Sequence, residues 1–117
     1  MGTGRETGIV KKVNEFGKRL DSNGYAPALF VHEAFRCYRC HRFGETARHE
    51  IYGGSRRKAS KALGLWINVC PACHAAIHSS GDLQDHYHKQ GQMLAEAYYH
   101  WNHDDFRRRF YINYLEE

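Results

Sequence analysis

The sequence predicts a small α+β protein, and three observations carry that prediction. The chain has 117 residues, the size of one ordinary domain. Two short apolar runs near its middle have the length of β-strands, whereas apolar residues recur at helical spacing towards both ends. Four cysteines fall into two pairs of identical internal spacing, which is typical of a metal site. We therefore expect strands around a metal site, flanked by an N-terminal helix and C-terminal helices.

The first element is predicted to be an amphipathic helix. Apolar residues at helical spacing lie between Ile9 and Leu20, with charged residues on the other faces. The segment 21–24, Asp-Ser-Asn-Gly, provides its end. An apolar run at residues 28–31 predicts an extended lead-in to the first cysteine pair. Residues 1–36 thus form the predicted N-terminal helix and lead-in.

The middle of the chain predicts two strands separated by a basic loop. The first candidate, residues 45–52, ends at the pair Gly53-Gly54. The other, residues 65–69, lies between Gly64 and Pro71. Proline suits the first turn of a helix, so a helix is predicted from Pro71 through His78. With the first cysteine pair, these elements make up a predicted zinc-stabilised module of residues 37–80.

The C-terminal segment predicts a long helix and a short one. Helical periodicity runs from residue 83 to residue 114, with a break at Asn102 and a final helix that carries Phe106 and Phe110. The inward residues of the long helix are predicted to be Tyr87, Leu94, Ala97, Tyr98 and Trp101. Residues 81–117 are expected to pack across the middle module, within a single domain.

Composition bears on location and partners. The chain opens without an apolar stretch of signal-peptide length, and its apolar runs extend for only a few residues, so we expect a cytoplasmic protein without membrane association. The net charge is +4, but residues 1–62 carry 13 Lys and Arg against 6 Asp and Glu, a net of +7. An anionic partner is therefore expected to face the N-terminal half.

The two C-x-x-C pairs are the strongest signal in the chain. Cys37 pairs with Cys40 and Cys70 with Cys73, with 29 residues between the pairs. In a reducing cytoplasm such pairs form metal knuckles, and four thiolates complete a tetrahedral zinc shell. Because a histidine follows each pair, the c-type haem attachment signature also matches, and a dihaem cytochrome is the alternative. Haem attachment belongs to exported proteins, so the N-terminus favours zinc.

Three of the nine histidines are predicted to form a second metal site. His74 and His78 lie four residues apart in the predicted helix, so their rings project from one face. His49, in the preceding strand, is the third member. A lone histidine is more often solvated or hydrogen-bonded, but three beside a zinc knuckle favour a shared ion. The other six are expected at the surface or in packing: His32, His41, His86, His88, His100 and His103.

The order of these motifs resembles the HNH (ββα-metal) endonucleases. The matching segments are Cys37-x-x-Cys40, Arg48-His49-Glu50-Ile51-Tyr52-Gly53-Gly54, Arg56-Arg57-Lys58-x-Ser60, Gly64-Leu65-Trp66 and Cys70-x-x-Cys73-His74-x-x-x-His78. The likeness is greatest to small phage and prophage HNH proteins with a four-cysteine zinc site, whose ending is similar to Gly91-Gln92 and Asn113-Tyr114-Leu115 here. The resemblance implies a ββα-metal core and metal-dependent hydrolysis of DNA, by a phage-derived protein in a bacterial host.

The resemblance also implies residue roles. His74 and His78 would bind a catalytic divalent ion such as Mg, Mn, Ni or Zn, and the pair His49-Glu50 would supply a ligand and a general base. The family commonly has His-His or Asp-His at this pair, so the sequence departs from it. His49 as ligand with Glu50 as base is one arrangement, and the reverse is another. His49 as base with Arg48 as ligand is excluded, because guanidinium has no free lone pair.

Two further expectations follow from the resemblance. The central Asn of the family pattern is not evident, and Ser60 or Gly64 is expected to organise the loop instead. Basic residues beside the predicted metal site are expected to contact DNA phosphates without reading base sequence, although charge runs are often only solvated faces. They are Arg48, Arg56, Arg57, Lys58 and Lys61. The alternative function is a zinc-stabilised nucleic-acid-binding module with weak or no cleavage.

Overall fold

A two-stranded antiparallel sheet and four helices form the regular structure of residues 12–115, the part of the chain that the computed structural model describes. In chain order the elements are β1 (Ala47–Glu50), α1 (Arg57–Ala62), β2 (Trp66–Val69), α2 (Pro71–Ser79), α3 (Gly81–Tyr99) and α4 (His103–Phe110), with a 3₁₀ turn at Gly54–Arg56. The prediction of a small α+β protein is confirmed. No helix among the described residues is long and apolar enough to cross a membrane.

The register of the sheet separates the side chains of β1 onto two faces. His49 lies opposite Ile67, and Glu50 lies opposite Trp66. Because successive residues of a strand point to opposite faces, His49 shares the face of the buried Ile67, whereas Arg48 and Glu50 lie on the other face. The sheet thus divides two residues that are adjacent in the sequence.

The basic segment between the strands is helical, so the prediction of a loop is wrong. The buried Ser60 of α1 accepts a hydrogen bond from the Tyr52 N–H at 3.1 Å and donates one to the Leu65 carbonyl at 2.6 Å. It therefore ties together the two ends of the connection. Gly64 has a φ of +78°, and a Cβ there would lie 2.4 Å from the Pro27 carbonyl oxygen. Ser60 and Gly64 both organise this segment.

The N-terminal helix predicted from residue 9 is wrong over its described part, and its first three residues lie outside the described range. Val13 and Arg19 form an antiparallel bridge instead. The Asn14 side chain accepts hydrogen bonds from the N–H groups of Phe16 and Lys18 at 2.8 and 2.9 Å. An asparagine that binds its own local backbone offers the chain a turn in place of a helix.

The lead-in at residues 28–31 belongs to no strand and bends at Leu29 and Phe30. It is held by single contacts to the chain after α1, such as the 2.8 Å hydrogen bond from the Leu29 N–H to the Gly64 carbonyl. Phe30 is fully buried by this packing. An apolar run therefore marks burial here rather than β-structure.

The long and short C-terminal helices are confirmed as α3 and α4, and the tail after Phe110 is not helical. Asn102 caps α4 in a capping box with Asp105. The predicted inward face of α3 is only partly right, because Tyr87 is buried but Ala97 and Tyr98 are exposed. The other buried residues of α3 are Gly91, Gln92 and Ala95.

One hydrophobic core joins the N-terminal, middle and C-terminal segments. It includes Phe30, Tyr52, Ile77 and Phe106, all essentially inaccessible to solvent. The close approach of α3 to the end of β1 requires the glycine at 91, since a Cβ there would lie 2.8 Å from the Tyr52 hydroxyl. This packing fixes α2 and α3 around the residues that follow β1.

Candidate metal centres

The four cysteines lie together, as the sequence predicts. Their sulfur atoms are within 4.8 Å of one another, and the Sγ atoms of Cys40 and Cys70 are 3.9 Å apart. Zn–S bonds of about 2.3 Å place neighbouring sulfurs about 3.8 Å apart. The set could therefore hold one zinc ion. Two haem groups, each attached through its own pair, would not bring the pairs into contact.

Local backbone structure builds each half of the cysteine cluster. Cys70 is the N-cap of α2, and its sulfur accepts a hydrogen bond from the Cys73 N–H at 3.4 Å. The sulfur of Cys37 accepts one from the Cys40 N–H at the same distance. His41 has a φ of +66° and donates its N–H to the Cys37 carbonyl, which closes the turn. Each C-x-x-C pair is thus a preformed knuckle.

Electrostatics of the cysteine cluster favour a bound cation. Burial raises the pKa of Cys37, but backbone hydrogen bonds from the neighbouring knuckle residues outweigh it and lower the pKa to about 6. Burial raises the pKa of Cys73 to about 12, although the Arg39 guanidinium, 3.5 Å from its sulfur, acts in the opposite direction. The Cys37 thiolate is therefore favoured, whereas Cys73 needs a nearby cation to balance its charge.

The three predicted histidines also meet, from two different elements. His49 of β1 lies against His74 and His78 of α2, with one nitrogen of each ring within 4.8 Å of the others. The Nε2 atoms of His74 and His78 are 3.0 Å apart. Metal–nitrogen bonds of about 2.1 Å separate adjacent ligands by about 3.0–3.4 Å. The arrangement therefore suits a shared divalent ion.

His49 and His74 favour neutral rings, the form that binds metal. Burial, and after it the neighbouring charges of His74 and His78, lower the pKa of His49 to about 4. Burial also lowers the pKa of His74. Three nitrogen ligands leave coordination positions open, and His78 is exposed to solvent. An ion held here would be reachable from outside.

The carboxylate of Glu50 is not part of the histidine cluster, although Glu50 lines the same cavity as His49 and His78. It accepts a hydrogen bond from Arg57 Nε at 2.7 Å and another from the Tyr25 hydroxyl. Burial raises the pKa of Glu50, but these two donors outweigh it and leave the pKa lowered. The geometry therefore favours His49 over Glu50 as the third ligand. The general-base role of Glu50 stays a prediction.

Arg48 faces the same side of the sheet as Glu50. It donates to the Asp21 carboxylate at 2.7 Å, and its guanidinium lies 4.1 Å from the centre of the Tyr25 ring. Asp21 is also bound to the backbone N–H groups of residues 23 and 25. Arg48 thus anchors the lead-in segment to the sheet.

A cavity of about 320 Å³ opens beside His49 and His78. Its wall includes His88 of α3, whose ring stacks on Tyr52 with centroids 5.3 Å apart and lies 4.6 Å from that of Tyr114. The sequence placed His88 among the surface or packing histidines. No spacing signal could have found it, because its place beside His78 depends on how α3 packs against α2.

The five basic residues expected to contact DNA occupy different environments. Arg48 and Arg57 are engaged with Asp21 and Glu50. The Lys61 ammonium lies 4.8 Å from the Tyr25 ring centre, and Lys58 is exposed. Arg56 is the one member of the set that lines the cavity. The structure therefore does not bring the five together as one surface at the histidine cluster.

Comparisons with protein-family models, with curated proteins and with solved structures each find no match to this chain.

Proposed function

We propose that the protein is a metal-dependent endonuclease that hydrolyses DNA phosphodiester bonds with little sequence specificity. One observation carries the proposal: three histidines converge, two of them (His49 and His78) line a cavity, and the set leaves coordination positions open. The cysteine cluster is proposed to hold a separate zinc ion that stabilises the fold. Closed four-ligand sites are structural, whereas sites with an open position can act on a substrate.

The chemistry divides between the ion and the chain. A divalent ion bound by the three histidines supplies Lewis-acid stabilisation of the charge that develops on the phosphate and on the leaving oxygen. His49, His74 and His78 hold that position from a strand and a helix that the core keeps fixed. The cavity wall excludes part of the bulk water around the phosphate, which strengthens the attraction of nearby positive charge.

The test is a cleavage assay on supercoiled plasmid with Mg, Mn, Ni, Co or Zn. Wild type is expected to nick the plasmid with at least one ion, and His74→Ala is expected to lose at least about 100-fold in rate, because it removes a ligand of the ion. His86→Ala is the matched control, since His86 is exposed on α3 outside the cluster. Equal nicking by wild type and His74→Ala would sink the proposal.

A second candidate is a zinc-stabilised module that binds nucleic acid without cutting it. It is favoured by the engagement of Glu50, the acidic residue that lines the cavity, with Arg57 and Tyr25. Salt-dependent DNA binding, with no nicking in the presence of any of the five ions, would select this candidate.

A further inference from the structure

The tail of residues 111–115, which follows α4, is tied back to the middle of α3. Gln92, which is fully buried, accepts a hydrogen bond from the Tyr114 N–H at 2.7 Å and donates one to the Asn113 side-chain oxygen at 2.8 Å. The same amide nitrogen donates to the Glu96 carboxylate at 2.7 Å. Because a buried polar group without a partner costs free energy, this set of bonds favours one position of the tail.

Local backbone structure brings the tail to that position. Tyr111 ends α4 with a φ of +68°, so the chain turns away from the helix axis. The Asn113 side-chain oxygen also accepts the Leu115 N–H at 3.1 Å, which closes a turn around Tyr114. The turn and the buried amide of Gln92 together fix where the Tyr114 ring lies.

The Tyr114 ring forms part of the cavity wall beside the histidine cluster. It stacks on Tyr52, with ring centroids 5.4 Å apart, and lies 4.6 Å from the His88 ring. These three aromatic residues line the same cavity as His49 and His78. Tyr114 is half-buried, so part of its ring is open to the cavity. An aromatic surface therefore borders the proposed ion site.

We propose that the Tyr114 ring packs against the nucleoside next to the phosphate at the histidine cluster, and that Gln92 is the residue that positions this ring. The proposal rests on the proposed nuclease function. Aromatic rings bind nucleosides without reading their sequence, because every base has a π-face. The cavity, at about 320 Å³, lies at the small end of ligand pockets and suits a single nucleoside. Holding that nucleoside fixes the orientation of the adjoining phosphate.

The first experiment does not depend on cleavage. The NMR signals of the tyrosine rings are followed in protein loaded with zinc at both clusters, during titration with the thymidine dinucleotide TpT and, separately, with inorganic phosphate at equal ionic strength. The spectrum of Tyr114→Phe identifies the Tyr114 signals. A saturable shift of these signals with TpT, and a smaller one with phosphate, is expected. No shift at Tyr114 with TpT would overturn the proposal.

The second experiment compares plasmid cleavage by Tyr114→Ala, Tyr114→Phe and Tyr98→Ala. Tyr98 is an exposed tyrosine of α3 outside the cavity wall, so its variant controls for the loss of one aromatic ring. Tyr114→Ala is expected to raise KM by about 10-fold, an effect typical of one lost contact between a base and an aromatic ring, with kcat changed by less than about threefold. Tyr114→Phe keeps the ring and is expected to retain the KM of wild type. An unchanged KM in Tyr114→Ala would contradict the proposal.

The positioning role of Gln92 is tested by Gln92→Leu and by Asn113→Ala. Each removes a link between the tail and α3, and Asn113 lies at the edge of the core, so its variant tests the same link at less risk to the fold. Both are expected to raise KM, and neither is expected to raise it further in a chain that already carries Tyr114→Ala. A lower unfolding midpoint with an unchanged KM would show a purely structural role for Gln92.

The outcomes separate the two claims. Cleavage by wild type with an equal KM for Tyr114→Ala overturns the role of Tyr114 and leaves the nuclease proposal standing. Absence of cleavage with every ion contradicts the nuclease proposal, and the TpT titration then decides on Tyr114 by itself. Thermal unfolding of each variant shows whether a lost signal reflects a lost fold.

Discussion

The cysteine and histidine clusters share helix α2 and differ in what they leave open. Cys70 and Cys73 lie at the start of α2, and His74 and His78 lie in its next two turns. The cysteine cluster has four ligands, with backbone N–H donors on two of its sulfurs, and two of its members are buried in the core. The histidine cluster has three ligands and borders a cavity.

The difference indicates how one short helix can contribute ligands both to a site that stabilises the fold and to a site proposed to act on a substrate. Four sulfurs in a closed shell replace apolar packing, since a thiolate cluster with zinc crosslinks segments that a small core holds weakly. Three nitrogens in an open arrangement add little to folding and, on the proposed function, would leave coordination positions for substrate oxygens. The predictions below test this division, starting with the largest effect.

Removing a cysteine ligand is expected to unfold the protein. Cys37 is fully buried and belongs to the core, so Cys37→Ala removes both a zinc ligand and packing. We expect a loss of at least about 5 kcal/mol in the free energy of unfolding, enough to abolish the cooperative transition at 25 °C. Far-UV circular dichroism and zinc content measure this. A folded, zinc-free variant would contradict the structural role of the cysteine cluster.

Removing a histidine ligand is expected to spare the fold. His78 is exposed, so His78→Ala should shift the unfolding midpoint by less than about 3 °C. Affinity for a divalent ion beyond the first zinc should fall by at least about 100-fold, because only two ligands remain. Calorimetric titration of the zinc-loaded wild type and of zinc-loaded His78→Ala with Mn measures the two affinities. Equal affinities would show that the second ion binds elsewhere.

Glu50→Gln asks whether the open cluster uses the nearby carboxylate. Because Glu50 is bound to Arg57 and Tyr25, we expect the substitution to lower the free energy of unfolding by about 1–2 kcal/mol. The predicted general-base role adds a large loss of cleavage rate at unchanged metal affinity. Urea unfolding and the plasmid assay give the two values. A rate change of less than about threefold would contradict that role.

Acid is expected to weaken the fold through His49. Its folded pKa is about 4, below the unfolded value of about 6.5, so the unfolded chain takes up a proton that the folded chain does not. Stability therefore falls as pH drops from 7 towards 4. At pH 5 this amounts to about 1 kcal/mol, since water still reaches part of the ring.

The variant His49→Gln isolates that contribution. The unfolding midpoints of wild type and variant are compared at pH 7 and pH 5 with one equivalent of zinc, so that acid release of zinc from the cysteines affects both. The midpoint of wild type should fall further than that of the variant. Parallel curves would mean that His49 is protonated in the folded state.

The smallest expected effect concerns charge beside the zinc site. Arg39 donates to the Cys73 sulfur, and four thiolates with one zinc ion carry a net charge of −2, so Arg39→Gln is expected to lower zinc affinity by about 3- to 10-fold. Competition with a chromophoric chelator measures it. Arg42→Gln is the matched control, because Arg42 is exposed and its side chain makes no hydrogen bond in the described structure.

The sequence by itself determined the local part of each cluster. A C-x-x-C pair forms a knuckle through contacts within four residues, and two histidines four apart share a helix face, so spacing alone predicts the two cysteine pairs and the pair His74 and His78. Strand β2 and helix α2 were likewise predictable, since the local backbone preferences of Gly64 and Pro71 mark where these elements begin and end. These features depend on chain neighbours.

Only the tertiary structure decided which residues from distant segments meet at the cavity, and that the N-terminal segment is not a helix. The pairing of β1 with β2 sent His49 and Glu50 to opposite faces, and the packing of α3 brought His88 to the cavity. The hydrogen bonds of Asn14 outweighed the helical periodicity of the N-terminal segment. Contacts between distant segments decide which basic residues pair with a carboxylate, as Arg48 and Arg57 do, and which, as Arg56, lines the cavity without such a partner among the described residues. No local sequence pattern records those contacts.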